Sequence, residues 1–337
     1  PFDLRWLYWE PQAGLLDRNR EEFFGQLSIS NVWLEARQHQ TMAHFDRGVV
    51  TRCLADNFGN GLSSFFPLRV KSSALQHSLF EEDRKKSERP NLTPDAHDYL
   101  AACQGSAEEL FYHVAAILRS PAYADENSTA LRQDWPRIPL PGSGASLSAS
   151  SELGKAVGAL MDPDKPLKGV TSGAIRPELK LIGVARGGKG GLELSVTAGW
   201  GHGGRGQATM PGTGRTVERT LRSEETAAIG SGATALGVPA KQLQRLLGDS
   251  TLDIYLNEST CWSNIPARVW GYTLGGYAVL KKWLSYREEA VLGRPLTHDE
   301  VRTFMEIARR IAALLLLEPA LDANYRAVAA SPSPWGG

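Results

Sequence analysis

Two Ser/Thr-x-x-Glu signatures do most to constrain how this chain can fold: Ser106-Ala107-Glu108-Glu109 and Thr297-His298-Asp299-Glu300. In each, the hydroxyl residue and the glutamate satisfy orphan amides of a first helical turn, so each marks the start of a helix. Behind the first, Leu110, Phe111, Val114, Ile117 and Leu118 form one apolar stripe that Ser120-Pro121 halts. Behind the second, Val301, Phe304, Ala308, Ile311 and Leu315 recur at helical spacing up to a stop at Glu318-Pro319. An earlier helix starts at Thr93-Pro94, a cap with proline at the first helical position, and ends at Gly105. Another is predicted over residues 122–135, before the proline-rich stop at 136–141.

Between these helices the period shortens. From Asn31 to Val70 lie strand-like runs such as Val32-Trp33-Leu34 and Val49-Val50-Thr51, broken by Asp56-Asn57-Phe58-Gly59-Asn60-Gly61; the polar stretch 71–90 reads as an exposed loop. Leu179-Lys180-Leu181-Ile182, Leu192-Glu193-Leu194-Ser195-Val196 and Leu252-Asp253-Ile254-Tyr255-Leu256 alternate like strands, and the glycines of 199–214 mark long turns. Strands, helices, strands and helices without regular βαβ alternation predict an α+β fold, mixed β-sheets flanked by helices with a helical C-terminus. At 337 residues the chain makes one large domain or two. Residues 1–30 read as a junction, 31–326 as the main body and 327–337 as a flexible tail; the Gly/Ser-rich 142–151 reads as a flexible connection where the body can divide.

Lys plus Arg and Asp plus Glu each total 37, so the formal net charge is zero. That excludes a uniformly basic nucleic-acid coat and an acidic disordered tail; any charged surface must come from local segregation. The longest apolar run, Ile311 to Leu317, is far short of the ~20 residues a membrane span needs. Pro1-Phe2-Asp3-Leu4-Arg5-Trp6 sets an acid and a base where a secretion signal has its apolar core. Cys53, Cys103 and Cys261 are too few and scattered for a disulfide framework or a metal knuckle. These features predict a cytoplasmic protein with no membrane partner, and a proline in first place predicts a piece of something longer.

Several chemistries are nearly present. Gly183-Val184-Ala185-Arg186-Gly187-Gly188-Lys189-Gly190 comes within one residue of a phosphate-binding loop, but Gly190 stands where the Mg²⁺-binding hydroxyl belongs and a strand-like segment follows, so it reads as a hairpin turn. Asp164, Glu178 and Lys180 match a metal-dependent nuclease only at loosely defined spacing. The histidines do not cluster at ligand spacing: His39 and His44 are five apart, and His97, Cys103 and His113 share no metal pattern. There is neither a Gly-x-Ser-x-Gly elbow nor the Asn/Asp-Pro-Pro-aromatic loop of an amino-methyltransferase. No catalytic residue and no metal ligand is assigned.

One segment stands out. Residues 268–287 carry four bases (Arg268, Lys281, Lys282, Arg287), no acid and five interleaved aromatics. Gly275-Gly276 here predicts the opening of a helix through Trp283, its N-terminal amides receiving one anion and Lys281-Lys282 a second. Such a cluster suits phosphate-backbone contact. An amphipathic helix with Tyr277, Leu280 and Leu284 in the core and its lysines solvated reads the pattern equally well. A weaker basic window, 185–222, holds Arg186, Lys189, Arg205, Arg215, Arg219 and Arg222 against Glu193 and Glu218. Its glycine-rich loops suit either approach to a DNA groove or flexible surface turns.

Three blocks within 251–288 carry a family resemblance: Thr251-Leu252-Asp253-Ile254-Tyr255-Leu256-Asn257, then Ile265-Pro266-Ala267-Arg268-Val269-Trp270-Gly271-Tyr272-Thr273-Leu274-Gly275-Gly276-Tyr277, then Lys281-Lys282-Trp283-Leu284-Ser285-Tyr286-Arg287-Glu288. Together with Phe66-Pro67-Leu68, Leu118-Arg119-Ser120-Pro121-Ala122-Tyr123, Pro136-Arg137-Ile138-Pro139-Leu140-Pro141 and Leu321-Asp322-Ala323-Asn324-Tyr325, they resemble the C-terminal target-recognition region of type ISP restriction–modification enzymes. Phe2-Asp3-Leu4-Arg5-Trp6-Leu7-Tyr8 is similar to the junction where the family's methyltransferase domain ends. The resemblance implies a phage-defence module that binds double-stranded DNA at a short asymmetric site. It would present an adenine for N6 methylation by the adjoining domain, with methyltransferase and helicase/nuclease domains in the same polypeptide. S-adenosylmethionine, ATP and Mg²⁺ are implied for that parent enzyme, and no cofactor for this chain. The expected DNA-binding residues are Tyr272, Gly275, Gly276, Tyr277, Lys281, Lys282 and Arg287, with Arg186, Lys189 and Arg205 as groove contacts. A nuclease on Asp164/Glu178/Lys180 and a scaffold that only contacts sister domains are the alternatives.

Overall fold

Both capping boxes close. In the computed structural model, which describes residues 2–6, 8–10, 21–28, 30–38, 48–54, 63–71, 88–204 and 209–334, Ser106 Oγ accepts from the Glu109 amide and the Glu109 carboxylate from the Ser106 amide. Thr297 and Glu300 exchange the same pair of bonds at 3.2 and 2.8 Å. The chain divides into two compact units, one of Asp3–Asp162 with Glu318–Gly337, the other of Pro163–Leu317. The fold is α+β, with small antiparallel sheets, many helices and a helical C-terminal region. Among the described residues no helix is long and apolar enough to cross a membrane.

In the first unit β1 (Trp33–Ala36) lies between β2 (Val49–Thr51) and β3 (Ser64–Pro67), antiparallel to both, and β4 (Arg69–Lys71) pairs with β5 (Glu88–Pro90). Most of the polar loop expected at 71–90, the turn at 56–61, His39 and His44 lie outside the described residues. Then come α1 (Pro94–Cys103), capped by Thr93, and α2 (Ala107–Leu118), whose Ile117 and Leu118 are buried. The helix expected over 122–135 is two short ones, α3 (Pro121–Glu126) and α4 (Ser128–Leu131), divided at Asn127.

The flexible connection expected at 142–151 is instead the start of an 18-residue helix, α5 (Gly144–Met161), capped by Ser143. Its small residues serve contact rather than looseness. A side chain at Gly154 would overlap the Tyr112 carbonyl of α2, and one at Gly144 would overlap the Cys103 carbonyl. The helices thus meet backbone to backbone, and Leu147, Val157 and Met161 are buried.

The second unit holds α6 (Pro177–Lys180), β6 (Val184–Arg186), β7 (Gly201–Gly203), β8 (Thr209–Pro211) and β9 (Arg215–Arg219). Next come α7 (Ser223–Leu236), α8 (Ala240–Leu247), β10 (Thr251–Tyr255), β11 (Cys261–Pro266) and α9 (Ala267–Trp270). A hairpin of β12 (Thr273–Leu274) and β13 (Tyr277–Ala278) leads into α10 (Val279–Ser285), α11 (Glu289–Leu292) and α12 (His298–Ala330). The four-stranded antiparallel sheet has the order β6-β11-β10-β9. One face buries Ile254 and Trp262, with the Trp262 ring stacked on Phe304 of α12 at 4.0 Å.

Two expected strands are not strands. Residues 179–182 form the end of α6 and a turn, because Pro177 starts a helical turn and Leu179 and Ile182, three apart, bury the same side. Residues 192–196 run extended beside a loop, where Asn257 Nδ2 donates to the Glu193 and Ser195 carbonyls. The hairpin reading of Gly187–Gly190 holds, since Gly188 and Gly191 bridge across Lys189-Gly190.

Pro319 does not end α12. Proline inside a helix costs about 3 kcal/mol through its missing N–H. The stretch beyond it, part of the first unit, offsets that by burying Leu321, Tyr325 and Val328 and by aiming the Asp322 carboxylate at Ser120 Oγ (2.7 Å) and the Ala122 amide (2.9 Å). The flexible tail expected at 327–337 is helical through Ala330, and the Ser333 amide donates to the Leu140 carbonyl at 2.8 Å.

His113 ties this unit together and is the satisfied histidine that its spacing suggests. Its Nε2–H donates to the Pro139 carbonyl (2.9 Å), leaving Nδ1 to accept from Ser150 Oγ (2.7 Å), which itself accepts from Asn324 Nδ2. Burial pushes the imidazole down to about 4, since the charged ring would lose its hydration. The unfolded chain takes up this proton near pH 6.5 and the folded chain does not until much lower pH. Stability is therefore expected to fall by up to about 3 kcal/mol as pH drops through that window. Thermal unfolding of wild type and His113→Gln between pH 7.5 and 4.5 checks this: the variant, less stable at pH 7, loses that share of the acid slope.

Candidate nucleic-acid interface

The basic segment 268–287 folds as a short helix, a hairpin and a second short helix. Gly275 and Gly276 have φ of 60° and 78°, the left-handed pair that a two-residue hairpin turn requires, and they join β12 to β13. The expectation that they open a helix is therefore overturned: α10 begins at Val279, spans seven residues and presents no glycine amides to an anion. The Tyr272 carbonyl accepts from the Val279 amide at 3.0 Å, closing the hairpin.

The amphipathic reading of the α10 pattern holds in part. Leu280, Trp283 and Leu284 are core, and Trp283 meets the edges of Trp262 (6.5 Å) and Phe304 (5.5 Å). Tyr277, which the amphipathic reading puts in the core, is 47% exposed, whereas Tyr272 is buried. Lys282 stands between two rings, its Nζ 4.8 Å from the centre of Tyr277 and 4.9 Å from that of Tyr286. Each such contact is worth about 0.5–1 kcal/mol near solvent and leaves the ammonium donors facing outward. Arg287 lies flat on Trp283 at 3.7 Å and donates Nη1 to the Trp283 carbonyl. Lys281 is half-buried and has no carboxylate partner among the described residues.

A glycine-rich segment packs beside this helix. A side chain at Gly201 would overlap the Ser285 carbonyl, and one at Gly214 would overlap the Trp200 ring. The Glu288 carboxylate accepts from the Gly199 and Trp200 amides, and Trp200 Nε1 donates to the Tyr255 carbonyl. Gly212 and Gly214 thus close on a buried tryptophan, and Gly201 and Gly203 lie in β7.

The weaker basic window separates into committed and uncommitted charges. Arg219 is committed: it forks onto Glu225 through two bonds of 2.8 Å and onto Asp253 through two of 3.1 Å. Arg222 adds longer contacts, 3.9 Å to Glu225 and 3.6 Å to Asp253. Burial alone would raise both carboxyls. The Arg219 fork and the amides of Arg222 and Asn264 outweigh it and hold both below their ordinary values. Arg186, at the end of β6, makes an exposed 3.3 Å contact with Glu224, a geometry worth little. Lys189 is exposed at its turn, and Arg205 lies outside the described residues.

The nuclease constellation does not assemble. Glu178 is buried with its carboxylate 3.1 Å from Arg176, whereas Asp164 and Lys180 are exposed. Among the described residues no three His, Cys, Asp or Glu side chains converge.

The family model of the Type ISP C-terminal specificity domain matches residues 1–313, and the chain belongs to that family. Among solved structures it is similar to the ATP-dependent Type ISP restriction-modification enzyme LlaBIII bound to DNA, at 14% identity and a TM-score of 0.51 over 92% of this chain and 17% of that one. Two further likenesses are a nuclease-deletion mutant of the Type ISP enzyme LlaGI with a DNA substrate mimic (14%, TM-score 0.45, 88% of this chain, 21% of that) and the DrdV–DNA complex (15%, 0.48, 90% and 25%). The chain thus spans a quarter or less of the length of these enzymes. No curated protein matches it.

Arg219→Gln is expected to leave Glu225 and Asp253 buried without their main cation and to destabilise the fold by about 3–5 kcal/mol at pH 7. In the wild type both carboxyls are held down, so their contribution is complete above the unfolded values near pH 4 and is lost as pH falls through the lower folded ones. In the variant burial acts with less opposition and raises them, so mild acidification relieves part of its deficit. Urea unfolding of both proteins at pH 7.0 and 5.0 reads this as a smaller difference between them at pH 5.0, the His113 loss being common to both.

Proposed function

We propose that the chain is the DNA target-recognition part of a larger restriction–modification enzyme, with residues 31–326 as the recognising body. The observation that carries this is the family match over residues 1–313, together with a cation-bearing hairpin–helix held rigidly on an aromatic core. Lys281 and Lys282 contact phosphates, Tyr277 and Tyr286 hold Lys282 in place, and Arg287 borders the same surface. Tyr272 positions the hairpin through its backbone. Gly275 and Gly276 set the turn that lets the tip approach the duplex. Arg186 and Lys189 are second-rank groove contacts. The LlaBIII structure is bound to DNA, which supports DNA as the partner here.

In the full enzyme this reading makes the chain a positioning device. It fixes the register of the duplex so that one adenine reaches the methyltransferase domain, where flipping exposes N6. S-adenosylmethionine, ATP and Mg²⁺ serve those other domains. This chain supplies binding energy and sequence choice.

Lys281→Ala is expected to weaken binding to all duplexes alike and to reduce the slope of log K against log salt by about 0.9, and the Lys281→Ala/Lys282→Ala double variant by about twice that. Fluorescence anisotropy with a labelled random duplex between 50 and 200 mM salt, on the order used to read such slopes, measures this. Unchanged slopes would remove both lysines from the interface, and a chain that shifts no duplex at low salt is a scaffold.

A further inference from the structure

The four-stranded sheet places a row of side chains that the basic hairpin–helix does not include. Strand register sets Arg186 opposite Cys261, Cys261 opposite Tyr255 and Tyr255 opposite Arg215, one residue from each strand. Residues paired across a sheet point to one face. The other face is the core side, where Ile254 and Trp262 are fully buried. On the row's own face Arg186 reaches Glu224 and Arg222 reaches Asp253, so this is the side where the arginines gather.

Within that row Arg215 differs from its neighbours. Its guanidinium lies 4.3 Å from the centre of the Tyr255 ring, the residue is exposed, and no carboxylate or carbonyl among the described residues accepts from it. A guanidinium stacked on a ring keeps its plane fixed while its N–H fork stays open at the edge. That fork matches two acceptors side by side, as on O6 and N7 of guanine in the major groove. β9 is an edge strand of the sheet, paired only with β10. Arg186 sits on the opposite edge, three strand spacings or about 14 Å away.

We propose that Arg215, held over the Tyr255 ring, is a base-reading residue of this chain and takes the O6/N7 edge of one guanine in the target duplex. The inference rests on the duplex-binding reading above and adds to it a residue that chooses sequence rather than one that grips phosphate. Lysine at 215 keeps the charge and the ring contact but loses the fork. Phenylalanine at 255 keeps the stack.

The test is selection of bound sequences from a random duplex library by the full chain, as wild type and as Arg215→Lys, Tyr255→Phe and Tyr255→Ala. The expected result is a wild-type motif in which Arg215→Lys relaxes one G·C position by roughly 5- to 150-fold and leaves the others intact. Tyr255→Phe should select the wild-type motif and Tyr255→Ala should relax the same position. A wild type that selects a motif which Arg215→Lys leaves unchanged overturns this inference alone. A loss of retained duplex that is uniform across all sequences also overturns it, making Arg215 a general backbone contact. A wild type that retains no duplex overturns the DNA reading and this one together.

Discussion

The stacking of Trp262 on Phe304 is the contact on which the second unit turns. Trp262 comes from β11 and Phe304 from α12, and Trp283 of α10 packs its ring against both. All three are nearly inaccessible to solvent, and Trp262 also donates Nε1 to the Val301 carbonyl. Aromatic pairs of this kind contribute about 0.5–1.5 kcal/mol beyond the area they bury. A seven-residue helix has no stability of its own in water, so α10 exists because Trp283, Leu280 and Leu284 are anchored there. The placing of Lys281 and Lys282 follows from that anchorage.

Charge in this chain works in two tiers. In the second unit Glu225 and Asp253 are consumed by Arg219, whose pairing is short, forked and shielded, with Arg222 at longer range. Cations left outside that tier, Lys281 on its helix, Lys189 on its turn and Arg215 on its ring, have no carboxylate among the described residues. A balanced total therefore coexists with a locally cationic surface. Shielded ion pairs organise the sheet, and these three cations are left without a carboxylate beside them.

The helix starts were legible in sequence because capping is local: Thr93, Ser106 and Thr297 act on amides within three residues. The α+β order was legible for the same reason. Where reading failed, a residue's meaning depended on what lay across from it. The small residues of 142–151 look like a linker until the Cys103 carbonyl is seen against Gly144. Pro319 looks like a stop until the burial beyond it outweighs one missing hydrogen bond. Gly275-Gly276 allow either a helix start or a hairpin, and only pairing of Leu274 with Tyr277 selects the hairpin.

By itself the sequence determined the caps, the class of fold, the concentration of bases and rings in 268–287, and the block that shows the family. Tertiary structure alone decided which of those bases are available. Arg219 and Asp253 are 34 residues apart and become partners only when β9 pairs with β10. That pairing also sets Arg215 against Tyr255 and leaves its fork open. Availability of a charge depends on every group brought near it, and folding supplies those neighbours from distant parts of the chain.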